Sequence, residues 1–179
     1  MRTEKMKKIL TFLSLSAGIL ALAGNLLQNP DFSMEKGYLK DWSASRSSYQ
    51  TSDNILHVTL QKGQRLHVYG KTIVLDQKER GPIHFGIEYQ GTCASDNWEH
   101  CIVLADLTYQ DGTKENWSKV LINVPSAADD WKKLDKTAKL PKPVKSFRFL
   151  ILLKDETTAK FRNPYVRVDE KKNTMTGKP

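Results

Sequence analysis

The chain has 179 residues, a formal net charge of +8, 39% hydrophobic residues and 9% aromatic residues. This length suits one ordinary domain, and it excludes a two-domain nucleotide-dependent enzyme or a large α/β barrel. The hydrophobic and aromatic content argues against a disordered chain. The positive charge is too small to indicate nucleic-acid binding by itself.

Residues 1–23 have the three parts of a secretory signal peptide. MRTEKMKK is a basic segment, ILTFLSLSAGILALA is an apolar segment, and Ala21-Leu22-Ala23 offers small residues for cleavage after Ala23. The alternative is a membrane anchor, but a spanning helix needs about 20 apolar residues, and this segment is shorter. Cleavage lowers the net charge from +8 to +5, because the segment contains four basic residues and one acidic residue. We therefore expect a secreted or periplasmic protein with no membrane attachment after cleavage and no nucleic-acid partner.

The remaining chain shows apolar residues with a period of two, which indicates half-buried β-strands. Strands are predicted at residues 54–60, 64–68, 71–75, 82–90, 101–109, 114–122, 131–140, 144–154 and 160–168. The run 101–109 is apolar on both sides, as in a strand with both faces covered. About nine strands and no long helix predict an all-β fold, an antiparallel β-sandwich or jelly roll, over residues 24–170. Residues 171–179 are polar and are predicted to form a flexible tail.

Two cysteines, Cys93 and Cys101, lie eight positions apart and enclose a loop that contains Trp98. In an oxidising compartment such a pair indicates a disulfide, which by chain entropy would contribute about 2–3 kcal/mol. The alternative is a pair of reduced thiols. A zinc site is disfavoured, because His100 is the one further ligand type nearby and zinc takes four.

Several segments, read in order, resemble non-catalytic carbohydrate-binding modules with a galactose-binding-like jelly roll, the type attached to xylanases and related glycan-degrading enzymes. The opening NLLQNPDF at 25–32 is followed by Gly37 and Trp42. A middle segment KTIVL at 71–75 precedes a strand, and DWKKL at 130–134 carries Trp131. The closing strand has the sequence FRNPYVRV at 161–168. The resemblance covers nearly the whole exported chain and implies the same fold and carbohydrate binding.

The resemblance also implies a structural calcium ion, held between the opening loop and the closing strand. Asp31, Glu35 and Asn163 are the residues that match those places. Asn163 stands where the family often has an acidic residue, and calcium takes six to eight oxygens with a preference for carboxylates. We therefore expect this site to be weakened or absent, and no other cofactor is expected.

Sugar recognition needs aromatic faces for C–H groups and planar polar groups for hydroxyls. Trp42 and Trp131 are expected to be structural, whereas Trp98 and Trp117 have polar neighbours and are candidate sugar platforms. The polar sides of two predicted strands provide a second candidate set, which would share one surface if both strands lay in one sheet: Arg65, His67, Tyr69, Glu88 and Gln90. The alternatives are isolated surface aromatics and an ordinary solvated face.

The sequence therefore predicts an exported domain that binds a poly- or oligosaccharide by aromatic stacking and polar contacts without cleaving it. The first alternative is an envelope or extracellular assembly protein whose sandwich binds a protein partner, which exposed Leu150 and Leu152 would favour. The second is a small glycoside hydrolase or lyase that uses Asp106 and Glu88, although a structural role for Asp106 is preferred. No catalytic motif of the common hydrolase types is present in the sequence.

Overall fold

A computed structural model describes residues 24–44, 49–93, 101–115 and 120–169. The predicted signal peptide at 1–23, the predicted tail at 171–179, Trp98 and Trp117 lie outside the described residues. The described part of the chain contains strands and no helix. None of its elements is therefore a helix of the length and apolarity that crossing a membrane requires.

Fourteen strands occur in the described residues. They are β1 (Met34–Glu35), β2 (Tyr38–Leu39), β3 (Trp42–Ser43), β4 (Tyr49–Ser52), β5 (Ile55–Leu60), β6 (Arg65–Gly70), β7 (Ile73–Val74), β8 (Ile83–Thr92), β9 (Cys101–Tyr109), β10 (Lys114–Glu115), β11 (Leu121–Asn123), β12 (Ala127–Ala138), β13 (Val144–Lys154) and β14 (Thr157–Val168). The long strands coincide with the alternating runs of the sequence, and β9 and β13 have the predicted bounds. The predicted segment 114–122 is divided between β10 and β11.

The strands form two large antiparallel sheets and one small hairpin. The seven-stranded sheet has the order β10-β9-β13-β6-β3, with β11 also paired to β9 and β7 also paired to β13. The five-stranded sheet has the order β12-β8-β14-β5-β4, and β1 pairs with β2 alone. The predicted antiparallel β-sandwich is therefore confirmed, with its chain passing repeatedly from one sheet to the other.

The main core lies between the two sheets and is built from every second residue of each long strand. The ring of Phe85 in β8 lies 5.7 Å from that of Phe147 and 6.2 Å from that of Phe149, both in β13 of the opposite sheet. Trp42 is buried beside them, with its ring 6.0 Å from Phe149 and its indole nitrogen donating to the carbonyl of Asn29 at 3.0 Å. These contacts confirm a structural role for Trp42.

The opening segment is tied to the closing strand by one side chain. Asn25 donates from its amide to the carbonyl of Pro164 at 2.8 Å and accepts from the backbone nitrogens of Leu27 and Val166. Pro164 lies within the bulge of β14 between Arg162 and Tyr165, and Asn25 supplies a hydrogen-bond donor for its carbonyl. The opening segment is thus held against β14 of the five-stranded sheet.

A second apolar cluster lies on the outer side of the seven-stranded sheet. Its members are Ile102, Leu104, Leu150 and Leu152, all 6% exposed or less, with Tyr69 and Leu121 packed against them. They alternate along β9 and β13 with residues of the main core, as strand geometry requires. The two-sided apolar character of residues 101–109 therefore reflects burial on both faces, as predicted.

Candidate functional site

The candidate site lies on the outer face of the seven-stranded sheet, where cross-strand pairing arranges side chains in rows. His67 pairs with Leu152 and Tyr69 pairs with Leu150 between β6 and β13. In the sequence-predicted set, Arg65, His67 and Tyr69 lie together on this face, because alternate residues of β6 point away from the main core. The apolar cluster forms the floor beside them.

Tyr69 is an aromatic side chain on this face, in the strand next to the edge strand β3. The guanidinium carbon of Arg148 lies 4.8 Å from the centre of its ring, which is a cation–π distance. Its hydroxyl lies 3.2 Å from Nδ1 of His67, and the two rings meet edge to face at 6.0 Å. Tyr69 therefore contacts the apolar cluster, His67 and Arg148. These contacts hold its ring in one position without a ligand.

Arg148 also binds Asp106, which the sequence analysis had singled out within an apolar strand. The guanidinium donates to Oδ2 of Asp106 at 2.9 Å across the β13–β9 ladder, where the two residues are paired. Oδ1 of Asp106 is buried and has no hydrogen-bond partner among the described residues. Asp106 thus orients the arginine that covers Tyr69. Sequence reasoning missed Arg148, although its position on the outward side of β13 was readable from the alternation of residues 144–154.

A shallow depression of about 310 Å³ opens next to Tyr69. It is lined by Ser43, Ala44, Arg65, His67 and Tyr69. Ser43 belongs to the edge strand β3 and is paired with Tyr69. Ser43 and Ala44 were not predicted, because a two-residue strand has no periodic pattern. The volume is at the lower end of small-ligand sites, and the lining offers one ring and several hydrogen-bonding groups.

Glu88 and Gln90 lie elsewhere, so the prediction that they share a surface with Arg65, His67 and Tyr69 is wrong. They belong to β8, which is in the five-stranded sheet, whereas β6 is in the seven-stranded sheet. Both side chains face outward on the opposite side of the sandwich. Gln90 donates from its amide to the carbonyl of Asp129 at 2.6 Å, which gives it a structural role.

Glu88 is held by two donors of the closing strand. It accepts from Nε of Arg162 at 2.7 Å and from the amide of Asn163 at 3.1 Å. The hydrogen bond from Asn163 and then the bond and charge of Arg162 lower the pKa of Glu88 below its ordinary value. Asp106 lies on the opposite outer face, so these two carboxylates cannot flank one glycosidic bond as a hydrolase would need.

The outer face of the five-stranded sheet also carries two aromatic rings with cationic neighbours. The guanidinium of Arg162 lies 4.0 Å from the ring of Trp131, which is half-buried, and the structural role expected for Trp131 stays a prediction. The ring of Tyr165 lies between Lys133 at 5.5 Å and Arg167 at 5.1 Å. It rests on Gly86, where a Cβ would lie 2.8 Å from the ring. Cation–ring contacts therefore occur on both outer faces of the sandwich.

The expected calcium ligands are only partly brought together. Asp31 and Asn163 line one cavity of about 390 Å³ beside Glu88, whereas Glu35 is exposed in the β1–β2 hairpin and does not line it. The described residues contain no group of three or more His, Cys, Asp or Glu side chains placed to hold a metal ion. Arg162 already pairs with Glu88, and a weak calcium site at this cavity stays a prediction.

The two cysteines are buried neighbours at a crossing between the sheets. Cys93 follows β8 of the five-stranded sheet, and Cys101 begins β9 of the seven-stranded sheet. Both thiols are free in the structure, and the disulfide stays a prediction. A hydrogen bond with Cys93 lowers the pKa of Cys101 to about 7, and the interaction with Cys101 and burial raise the pKa of Cys93.

The architecture places the chain in the class of β-sandwiches with the jelly roll of carbohydrate-binding modules, which confirms the resemblance at the level of the fold. The chain matches no family model and no curated protein. Several solved structures share its fold. The enzymatically active domain of bacteriophage CBA120 tailspike protein 4 is 11% identical, with a TM-score of 0.58 over 81% of this chain and 21% of that chain.

Two further neighbours are named for sugars. TmCBM61, solved in complex with β-1,4-galactotriose, is 12% identical, with a TM-score of 0.57 over 82% of this chain and 100% of that chain. The arabinose-bound α-L-arabinofuranosidase MgGH51 is 12% identical, with a TM-score of 0.50 over 80% of this chain and 26% of that chain. The chain therefore spans about a fifth of the tailspike domain, a quarter of the arabinofuranosidase and all of TmCBM61. At these identities the likeness concerns the fold.

Proposed function

We propose that this protein is an exported, non-catalytic carbohydrate-binding domain whose ligand lies against Tyr69 on the outer face of the seven-stranded sheet. The observation that carries the proposal is the Tyr69 ring, fixed by Arg148 and His67, beside an open depression. The likeness of the fold to TmCBM61, whose structure contains a galactotriose, supports the assignment.

The chemistry of the depression suits a sugar. An aromatic ring can pack against the C–H groups of a pyranose. Binding costs less conformational free energy when the ring already has a fixed position in the free protein. Arg65, His67 and Ser43 supply hydrogen-bonding groups for hydroxyls around that ring. The buried floor of leucine and isoleucine side chains supports the ring from below. Ligand binding then costs little ordering of the protein.

Export rests on the sequence of residues 1–23, and the candidate platforms Trp98 and Trp117 rest on their polar sequence neighbours. Both proposals concern residues outside those that the structure describes. N-terminal sequencing of the protein recovered from the culture medium or periplasm tests the first, with cleavage after Ala23 as the expected result. An uncleaved N-terminus on a membrane-bound protein would contradict it.

The decisive experiment compares aromatic residues of the two outer faces. Isothermal titration of the protein against a panel of plant and microbial polysaccharides should identify at least one ligand. Tyr69→Ala should then weaken that binding at least tenfold, which corresponds to about 1.4 kcal/mol. Tyr165→Ala is the matched control, because it removes the same side chain from the opposite face, and it should change affinity less than twofold.

Three results would contradict the proposal. One is a panel in which no glycan binds, and another is an equal loss in the two tyrosine variants while both keep the folded circular-dichroism spectrum. Release of reducing ends or unsaturated sugars from the bound polysaccharide would show that the protein is an enzyme. The assembly-protein alternative is not favoured on this face, because Leu150 and Leu152 are 0% and 6% exposed.

A further inference from the structure

One face of the Tyr69 ring is covered by a side chain of the neighbouring strand. Tyr69 in β6 is paired with Leu150 in β13, so Arg148 lies two residues further along β13, in the diagonal position. Long side chains in diagonal positions of an antiparallel pair can reach each other. The guanidinium carbon of Arg148 accordingly lies over the ring, 4.8 Å from its centre. A sugar cannot pack on this face of the ring while the guanidinium occupies it.

The guanidinium is held over the ring by few contacts. Its Nη2 donates to Oδ2 of Asp106 at 2.9 Å, and this is the one hydrogen bond of the Arg148 side chain to the described residues. The side chain of Arg148 is 41% exposed, so it is not enclosed on every side. Cation–π contacts at exposed sites are weak. The guanidinium can therefore be displaced from Tyr69 at small cost.

Asp106 offers the displaced guanidinium a second position. It is directly opposite Arg148 in the β13–β9 ladder, and its side chain is 18% exposed. Its Oδ1 is buried and has no hydrogen-bond partner in the part of the chain that the structure describes. A guanidinium can bind both oxygens of a carboxylate through two parallel hydrogen bonds. A shift of Arg148 off the ring and onto Asp106 would therefore satisfy an acceptor that is costly to leave unpaired.

From this arrangement we propose that Arg148 is a movable cover of the Tyr69 ring. It stacks on the ring when no glycan is bound, and it moves into a two-pronged hydrogen bond with Asp106 when a sugar packs on the ring. The inference rests on the proposed function and names how its site is regulated. Because a covered molecule cannot bind a sugar on this face, the cover raises the apparent Kd in inverse proportion to the uncovered fraction.

The first test observes Arg148 by nuclear magnetic resonance in the unsubstituted protein. Protons above an aromatic ring are shifted upfield by its ring current, so the side-chain resonances of Arg148 should lie upfield of ordinary arginine values. The probes are cellohexaose, xylohexaose, mannohexaose and β-1,4-galactohexaose. Saturation with a probe that binds should return these resonances to ordinary values. Tyr69→Ala should abolish the upfield shift in the absence of a probe.

The second test measures the cost of the cover with two variants of opposite expected effect. Asp106→Thr combined with Arg148→Thr removes the cover without leaving a carboxylate unpaired, and facing threonines are favourable across strands. Since the covered position is the populated one, this double variant should bind the same probe about threefold more tightly or better. Asp106→Asn keeps the cover but removes the charge that receives the guanidinium, so binding should weaken about threefold.

The matched control is Arg167→Thr on the other outer face. Its guanidinium also stacks on a tyrosine, since it lies 5.1 Å from the ring centre of Tyr165. Because this pair is remote from the proposed site, the substitution should change probe affinity less than about twofold. A gain equal to that of the double threonine variant would overturn the cover, because any loss of positive charge would then have the same effect.

The outcomes separate this inference from the proposed function. Arg148 resonances that stay upfield in a saturated complex would overturn the cover and leave carbohydrate binding standing. Weaker binding in the double threonine variant, at an unchanged free energy of unfolding, would also overturn it, because Arg148 would then be a ligand contact or a fixed support. If that variant does not fold, the resonances of the unsubstituted protein decide alone. Failure of every probe to bind would overturn both proposals.

Discussion

The two outer faces of the sandwich follow the same alternation of side chains and yet differ in what their outward residues do. On the seven-stranded sheet the outward residues of β9 and β13 form a second, buried apolar cluster beside Tyr69. On the five-stranded sheet the outward residues are mainly polar and charged. They satisfy one another, as in the contacts of Glu88 with Arg162 and Asn163.

Under the proposed function this difference favours the seven-stranded face as the binding face, because Glu88, Arg162 and Asn163 on the other face are bonded to one another. On the seven-stranded face the apolar cluster supports Tyr69, while His67 and Arg148 are engaged with Tyr69 and Asp106, and Arg65 and Ser43 line the depression beside them. By contrast, Tyr165 has a cation on each side and rests on Gly86. A glycan that approached the five-stranded face would have to replace existing contacts, and this replacement costs binding free energy.

The largest effect is expected from shortening Leu150, which is 0% exposed although it points away from the main core. Leu150→Ala should lower the free energy of unfolding by about 2–5 kcal/mol, the range for removing a buried leucine side chain. Urea unfolding monitored by tryptophan fluorescence measures this loss. Because Tyr69 packs on the same cluster, glycan binding should weaken in this variant as well.

The matched change on the other face is Lys160→Ala, which removes an exposed outward residue of β14. It should alter the free energy of unfolding by no more than about 0.5 kcal/mol. Similar small effects from both substitutions would show that the outer cluster does not act as a second core, and the contrast between the faces would fail.

The alternation of apolar and polar residues predicted which face of its strand each side chain occupies. It did not predict the sheet to which each strand belongs. Residues 144–154 show their inward and outward sides directly, and β13 has those bounds. The same pattern occurs in β6 and β8, which belong to different sheets. Their partners are decided by pairing with β13 and β14, distant in the chain. The predicted joint surface of His67 and Glu88 failed for this reason.

The parts of the candidate site that were missed depend on contacts across the ladder. Arg148 covers Tyr69 only because β13 pairs with β6, and it binds Asp106 only because β13 also pairs with β9. These residues are 79 and 42 positions apart from Arg148 in the sequence, and no local pattern links them. Tyr69 itself was predicted, since an aromatic residue on the polar side of a strand is visible without knowledge of the partner strand.

Oxidation of the cysteine pair, which lies at the connection between the two sheets, should change the free energy of unfolding by an intermediate amount. Oxidation with diamide should join Cys93 to Cys101, with the two thiols giving up two protons and two electrons to the reagent. The disulfide should raise the free energy of unfolding by about 2–3 kcal/mol. Urea unfolding with and without a reducing agent measures the gain, and Cys101→Ser provides the variant that cannot respond.

The rate of that oxidation should depend on pH in a defined direction. Because the hydrogen bond with Cys93 lowers the pKa of Cys101 to about 7, the reactive thiolate becomes abundant above that pH. Oxidation should therefore accelerate as the pH is raised from 6 towards 8. Labelling of both cysteines by iodoacetamide after diamide treatment would show that no bond had formed.

The smallest change in the free energy of unfolding is expected for a substitution of Glu88. Its comparison with Asp135 distinguishes a hydrogen-bonded ion pair from two charges that are only close together on the five-stranded face. The pKa of Glu88 is lowered in the folded protein, so its charged form stabilises the fold above the ordinary glutamate pKa of about 4.3. That contribution is lost as the pH falls through the lower, folded-state pKa. Glu88→Gln should therefore cost less than about 1 kcal/mol at pH 7, after allowance for a side chain that is 28% exposed. The difference from the unsubstituted protein should therefore be smaller at pH 3 than at pH 7. Asp135→Asn is the control, because Asp135 is 51% exposed and lies 3.6 Å from Lys133, and its cost should be close to zero at both pH values.

A cost for Glu88→Gln that stays constant from pH 7 to pH 3 would mean that the side chain acts through its shape and hydrogen bonds. The charge pairing that distinguishes this face would then have no energetic basis at its best-paired residue.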